Sequence, residues 1–250
     1  ALNLNAQGSY DLQSGAFDGQ LVLERAQLPW VSRRLAEMGI QEPPQLGGAM
    51  GLTARAVRRD SDAPIVTSGS GRITDFAYNG NRLREPVTYE WANVSYGPDG
   101  GAMTAESIRL VSEVARLAAT NLRTAGGEHP QLSGNVDVAA DLARAAALGA
   151  TADKPAAKVA GQLTWRGDFQ SRGDVIAIDG SGAVRDFRAG EGAAAVTEPN
   201  IALAQRVTFD SAADRAAIET FRVESRMLEL QLGGTVSEVR TRRVLDLSGR

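Results

Sequence analysis

The residues that could catalyse a reaction or bind a metal are few in this chain of 250 residues. The only histidine, His129, stands beside Pro130 in a turn-rich segment, and the sequence marks no partner for a metal site or a catalytic triad. Cysteine is absent, which excludes disulfides, thiol catalysis and cysteine-based metal sites. We expect His129 to lie in a solvated loop, and we expect neither a metal nor a cofactor.

Two glycine–serine–glycine motifs, Gly69-Ser70-Gly71 and Gly180-Ser181-Gly182, could bind a phosphate or carry the nucleophile of a hydrolase. A dinucleotide-binding loop requires a third glycine between a strand and a helix, whereas strands are predicted on both sides of these motifs. A nucleophilic serine requires a sharp turn from strand to helix, which is also missing. We interpret the glycines as turns or bulges.

The acidic residues define no site either. Asp168–Asp174 lacks the central Asp-x-Asp-Gly and the closing glutamate of a calcium loop, and it is predicted to form the tip of a hairpin. Many Asp and Glu residues could pair as in glycoside hydrolases, but no pair stands out. We therefore expect a protein that is not an enzyme. A polysaccharide lyase or hydrolase built on a β-helix is the enzymatic alternative.

Composition and charge limit the possible partners and locations of this chain further. The net charge is −3 and the basic residues form no stripe, which argues against nucleic acid as a partner. Hydrophobic residues make up 43% of the chain, yet no apolar run approaches the roughly 20 residues of a membrane helix. The sequence opens at Ala1 and its first methionine is Met38, so we expect it to be a piece of a longer or processed protein.

The elements that would position any functional residue are repeated along the chain. Gly69–Phe76 returns as Gly180–Phe187, 111 residues later, and Glu106–Leu110 returns as Glu219–Val223, 113 residues later. Such repetition is typical of elongated arrays whose neighbouring units bury each other. It predicts a first unit over 1–124, a joint over 125–130, and a second unit over 131–250 that contains the start of a further unit at Leu247-Ser248-Gly249.

Each unit is predicted to contain many strands and one short helix. Alternation of apolar and polar residues, interrupted by Gly, Asp, Asn or Pro, is the pattern of a meandering antiparallel sheet. The helices are expected over Pro29–Met38 and, after an Asp141 N-cap, up to Leu148. Trp30 is expected to pack its helix onto the sheet, and Trp91 and Trp165 are expected to contribute to the core.

One short helix per unit cannot cover the apolar face of such a sheet. That face must pack against another apolar face, as in a β-sandwich or solenoid, or curl into an open trough that receives a ligand. Both arrangements agree with the alternating pattern.

Several segments resemble the AsmA-like and TamB-like repeat proteins of bacterial envelopes. They are the strand-to-helix run Leu132–Ala143, the pair Gly71–Phe76 and Gly182–Phe187, and the strand pair within Glu219–Val236. The resemblance implies a mostly β fold in which a long, curled antiparallel sheet forms an open groove. It also implies a location in the periplasm, phospholipid as the ligand, transport of acyl chains between membranes, and inner- and outer-membrane proteins as partners at the ends of the parent protein.

Alternate residues of successive strands should line this groove. The predicted lining residues are Leu110, Val138, Ile176, Ile178, Leu203, Phe221, Val223, Leu228, Leu230 and Leu232. Two other functions fit the same sequence: a structural or adhesive stalk with a filled core, and a periplasmic assembly factor that offers a strand edge to outer-membrane protein segments.

Overall fold

The structure is a computed structural model that describes residues 3–37, 45–97, 102–126, 131–151, 153, 155–239 and 244–249. His129 and Met38, the predicted end of the first helix, lie outside the described residues. The elements before residue 126 are β1 Leu4–Tyr10, β2 Phe17–Gln27, α1 Pro29–Glu37, β3 Leu46–Arg58, β4 Ile65–Tyr78, β5 Asn81–Arg82, β6 Val87–Tyr96, β7 Met103–Val111 and β8 Ala115–Ala125. The later elements are β9 Gln131–Asp141, α2 Leu142–Gly149, β10 Val159–Arg172, β11 Val175–Ala189, a 3-10 turn at Gly192–Ala194, β12 Val196–Asp210, β13 Arg215–Glu224, β14 Glu229–Ser237 and β15 Val244–Gly249.

All the strands belong to one 15-stranded antiparallel sheet in which the order in space follows the order in sequence. Only β5 stands outside this path, as a short partner of β4. In the described residues β1 pairs with β2 alone and β15 pairs with β14 alone, so the sheet is open. The prediction of a mostly β fold with a long antiparallel sheet and two short helices is confirmed, and the open sheet agrees with the predicted groove.

The same succession of elements occurs twice along the sheet. Apart from the short β5 and the 3-10 turn, a strand, a helix, two long strands and three further strands follow one another from β2 to β8 and again from β9 to β14. The two series form one continuous sheet because β8 pairs with β9 across the predicted joint. The hairpin tip predicted at Asp168–Asp174 is confirmed in part. Strand β10 ends at Arg172, β11 begins at Val175, and a short turn joins them.

Bulges occur at matching places in the two series. Asp75 in β4 and Asp186 in β11 have φ angles of 55° and 52°, and each stands opposite a glycine, Gly48 or Gly161, that also has a positive φ. The extra residue of a bulge bends its strand and increases the local twist. Each series of strands is therefore bent at an equivalent point near the helices.

Helix α2 joins the two series of strands. The side chain of Asp141 accepts a hydrogen bond from the backbone amide of Arg144, as the sequence predicted for the N-cap. At the other end, the side-chain amide of Asn81 donates to the carbonyl oxygens of Leu148 and Ala150 at 3.1 and 2.6 Å. Ala145 and Leu148 of α2 pack on a cluster of three buried residues, Leu83, Val87 and Val114.

Little of the molecule is fully buried. The accessible surface is 16292 Å², against about 10,600 Å² for a compact monomer of this mass. The second buried cluster consists of only Val94, Ala105 and Leu122. In the described residues the extensive contacts between strands join neighbours in the sheet, and no second sheet packs on the first. The sandwich arrangement that the sequence left open therefore does not form in the part of the chain described here.

The cap of α2 provides a test of the junction. Replacing Asp141 by Ala is expected to lower the free energy of unfolding by about 1 kcal/mol, because the amide of Arg144 loses its acceptor. Asp141→Asn keeps an acceptor and is the control. Urea unfolding followed by circular dichroism measures both; equal stability of all three proteins would show that the cap does not contribute.

The same cap predicts a dependence on pH. The hydrogen bond from the Arg144 amide holds the pKa of Asp141 below its ordinary value. A lowered folded pKa contributes stability above the unfolded pKa of about 3.9, and this contribution is lost as the pH falls through the folded pKa. The difference in stability between the wild type and Asp141→Ala should accordingly shrink in acid. A difference that stays constant down to the lowest pH at which the protein folds would contradict it.

Candidate functional site

The candidate site is the apolar face of the sheet. Residues paired across an antiparallel ladder point to the same face, so the register identifies each face residue by residue. Following the pairs from β1 to β14 gives a continuous line of residues, here called the central row. Its members are Leu4, Leu23, Leu52, Gly71, Tyr89, Leu110, Leu117, Val138, Trp165, Gly182, Leu203, Val223 and Leu230.

A second row runs beside the central row on the same face. Its members are Ala6, Leu21, Ala54, Gly69, Trp91, Ile108, Ala119, Val136, Gly167, Gly180, Gln205, Phe221, Leu232 and Gly249. Gln205 alone interrupts it with a polar side chain. At about 4.8 Å per strand, the central row spans about 58 Å.

Nine of the ten residues predicted to line the groove lie on this face. Leu110, Val138, Leu203, Val223 and Leu230 belong to the central row. The second row contains Phe221 and Leu232, and Ile178 and Ile176 precede Gly180 by two and four residues along β11. That these residues contact lipid stays a prediction.

Leu228 does not join the other nine residues. It lies in the turn between β13 and β14, where its carbonyl accepts a hydrogen bond from the Ser225 amide at 2.7 Å. The side chain is 51% exposed. The prediction extended the alternation of Leu230 and Leu232 by one step too many, beyond the start of the strand.

The opposite face is polar and carries ion pairs across neighbouring strands. Among the residues next to the central row, Arg109 pairs with Glu90 at 3.0 Å and Arg166 pairs with Asp137. Arg206 and Asp179 form another such pair at 2.6 Å. Exposed pairs of this kind contribute up to about 1 kcal/mol each. Their main effect here is to make one face of the sheet hydrophilic.

The four glycines of the glycine–serine–glycine motifs lie within strands, in β4 and β11, so their interpretation as turns is wrong; of the four, only Gly69 borders a bulge, the register shift after Thr67. Gly69 and Gly71 point to the apolar face, where Trp91 and Tyr89 of the neighbouring strand lie across them. Partial burial raises the pKa of the Tyr89 hydroxyl, which donates a hydrogen bond to the Gly51 carbonyl at 3.1 Å. These glycines make room for aromatic rings.

The three tryptophans differ in environment. Trp91 packs against the cluster of Val94, Ala105 and Leu122, and Trp165 lies half-buried on the apolar face. Trp30 is 56% exposed, and the guanidinium of Arg34 lies 5.9 Å from its ring centre. The expectation that Trp30 packs α1 onto the sheet is therefore wrong, because its ring contacts an arginine on its own helix.

Shallow depressions occur on both faces. One on the apolar face, of about 640 Å³, is lined by Leu21, Ala54, Ala56, Trp91 and Tyr96 among others. A depression of about 680 Å³ on the polar face contains Glu90 and Arg109, whose charges already neutralise each other. Of these two depressions, the first has the more apolar lining, which an acyl chain requires.

The described residues offer no assembly for metal chemistry or for crossing a membrane by a helix. No group of three His, Cys, Asp or Glu side chains among them could hold a metal ion. No helix in this part of the chain combines the length and the hydropathy needed to span a bilayer. Comparisons with protein-family profiles, with curated proteins and with solved structures give no match. The AsmA-like resemblance thus stays a prediction from sequence motifs.

Glu198 is the one buried charged residue in the described part of the chain. Its side chain is 4% exposed; Oε2 accepts a hydrogen bond from the Arg226 amide at 3.3 Å, and Oε1 has no partner among the described residues. A buried carboxylate with an unpaired oxygen destabilises the fold. The pair Glu198-Pro199 repeats Glu85-Pro86, which stands 113 residues earlier, but Glu85 is exposed.

This contrast gives a second prediction. Glu198→Met should raise the free energy of unfolding at neutral pH by about 1–3 kcal/mol, because it removes a desolvated charge and conserves volume. Glu85→Met, at the equivalent exposed position, should change stability little and serves as the control. Thermal and urea unfolding measure both. A clear loss of stability in Glu198→Met alone would show that the carboxylate makes a favourable interaction in the native state.

Proposed function

We propose that the apolar face of this sheet holds lipid acyl chains, as a non-enzymatic segment of an envelope protein that conducts phospholipid. The observation that carries the proposal is the central row: one residue from each of thirteen successive strands, all apolar or glycine, with no protein layer on top in the described residues. The AsmA-like resemblance supplies the remaining parts of the proposal. These are phospholipid as the ligand, the periplasm as the location, and membrane proteins as partners at both ends of the parent protein.

The exposure of this face supports an occupant from outside the chain. Leu110, Leu117 and Ile176 are each 37–40% exposed although they lie within strands of the sheet. Contiguous apolar surface of this extent is uncommon on soluble proteins and marks a binding surface. An acyl chain gains about 0.8 kcal/mol for each methylene that it buries. Contact with a few neighbouring residues of the central row is therefore enough to hold a chain.

The polar face supports the same proposal. Its cross-strand ion pairs keep that side in water, so the sheet is amphipathic across its whole length. A stalk with a filled core would need the apolar face to be covered by protein, and the described residues supply only two small buried clusters. A lipid ligand accounts for the face without a second layer.

Adjacent residues on opposite faces provide the test. Leu117→Glu places a carboxylate in the central row, where its 40% exposure allows the charge to reach water and the fold to survive. The bound acyl chain is desolvated there, so lipid occupancy should fall by about tenfold or more. Ala118→Glu adds the same charge to the polar face, between Arg109 and Asp137, and is the matched control.

The measurement is mass spectrometry of lipids extracted from the purified proteins, together with thermal unfolding. Wild type and Ala118→Glu should carry phospholipid, and Leu117→Glu should be folded and depleted. A wild type without lipid, or a Leu117→Glu protein that unfolds while Ala118→Glu does not, would favour the stalk with a filled core. Equal occupancy in all three proteins would place the lipid elsewhere.

A further inference from the structure

Aromatic rings on the apolar face lie across glycines of neighbouring strands. A Cβ atom added at Gly69 would stand 2.4 Å from Cζ2 of Trp91, and one added at Gly71 would stand 2.4 Å from the Tyr89 hydroxyl oxygen. The rings of Tyr89 and Trp91 are nearly parallel, with 11° between their planes and 6.3 Å between their centres. Both rings therefore recline on the sheet.

The second series of strands repeats this arrangement with different residues. A Cβ atom at Gly180 would stand 2.3 Å from Cζ2 of Trp165, and one at Gly167 would stand 2.6 Å from the same ring. Gly167 and Gly180 are paired with each other in the second row. Here Gly167 belongs to β10, the strand of Trp165 itself, and Gly180 belongs to the neighbouring β11, whereas in the first series both glycines belong to β4.

A reclining ring presents its flat surface to whatever covers the sheet. A ring held upright by a neighbouring side chain would instead project from the face and obstruct anything that runs along the rows. Trp91 borders the 640 Å³ depression of the apolar face, and Leu21, Ala54 and Ala56 are among the other residues that line it. The glycines thus determine how closely the aromatic rings lie to the sheet at two places along the central row.

We propose that these ring-on-glycine platforms, Tyr89 and Trp91 on Gly69 and Gly71, and Trp165 on Gly167 and Gly180, are the contact points for acyl chains, and that the glycines control the clearance above them. This inference rests on the proposed function. It assigns a role in ligand binding to the repeated glycine–serine–glycine motifs. It also predicts that adding apolar area at these glycines weakens the binding of an apolar ligand.

Tryptophan fluorescence tests the contact directly. Three variants each keep one tryptophan and replace the other two by phenylalanine. Each is incubated with vesicles of phosphatidylglycerol that carries bromine atoms in mid-chain, separated from the vesicles, and compared with a sample loaded with the unbrominated lipid. Bromine quenches fluorescence only at contact. Trp91 and Trp165 should lose most of their emission, whereas the variant that keeps only Trp30, on α1 beside Arg34, should keep its emission and serve as the reference protein.

A glycine substitution tests the clearance. Gly180→Ala forces the Trp165 ring upward and should lower the affinity for phosphatidylglycerol by about two- to tenfold. Gly19→Ala is the matched control, since a Cβ there lies on the same face, 3.6 Å from the nearest atom, with no ring above it. Adding Trp165→Leu to Gly180→Ala should restore part of the binding, because the smaller side chain removes the obstruction although the contact with the ring is lost.

The outcomes separate this inference from the proposed function. Lipid found by mass spectrometry without quenching of Trp91 and Trp165 would overturn the platforms and leave the proposed function standing. Quenching of both tryptophans with weaker binding in Gly180→Ala supports the platforms. If Gly180→Ala fails to fold, quenching in the single-tryptophan proteins decides. Failure of the wild type to take up any phosphatidylglycerol would overturn both.

Discussion

The constraint on which the structure depends is the register of neighbouring strands. Each strand pairs with the next strand in sequence, and the pleat turns alternate residues to opposite faces. A slip of one residue between any two strands would exchange their faces and break the central row at that point. The face is continuous over β1 to β14 because every such pair keeps its register at the centre of the sheet. Bulges with irregular register lie to either side of the central row.

The bulges show how the chain corrects its alternation without losing the face. At Asp75 and Asp186 the backbone adopts a left-handed conformation, which a short polar side chain tolerates better than a branched one. The residue after each bulge, Phe76 or Phe187, follows three positions from the last apolar residue before it, Ile73 or Val184. Phe76 packs with Ile73 around the cluster under α2, which shows that the apolar side continues beyond the bulge. The bent strand therefore keeps one apolar side.

Stability in such a sheet comes from near neighbours. Ladder hydrogen bonds join consecutive strands, and α2 connects two series through Asn81 and the cluster of Leu83, Val87 and Val114. This is the arrangement of repeat proteins, in which each unit is stabilised by the next one along the array and no central core is required. An apolar face can therefore stay uncovered while the fold persists, at the cost of a large solvent-exposed surface.

Much of this organisation was predictable because its signals are local. Alternation in segments such as Met50–Ala56 predicts strands, and Asp141 before an alanine-rich run predicts α2 and its cap. The residues that were missed or misplaced depend on pairing at a distance. Leu117 and Trp165 join the central row only through the registers of β8 with β9 and of β9 with β10, which local sequence does not contain.

The glycines illustrate the same limit in chemical terms. A glycine–serine–glycine motif suits a turn, a phosphate loop or a strand beneath an aromatic ring, and only the third requires a tryptophan or tyrosine on the neighbouring strand. At Gly69 that residue is Trp91, which comes 22 positions later and is paired with it in the ladder. At Gly180 the ring comes from Trp165, which precedes it. The glycine therefore occupies the same position in both repeats, whereas the ring that covers it comes from a later residue in the first repeat and from an earlier residue in the second. What the two series of strands share is therefore an apolar face from which these aromatic rings project little. A ligand that slides along the sheet, as proposed, would require such a flat surface more than any particular side chain.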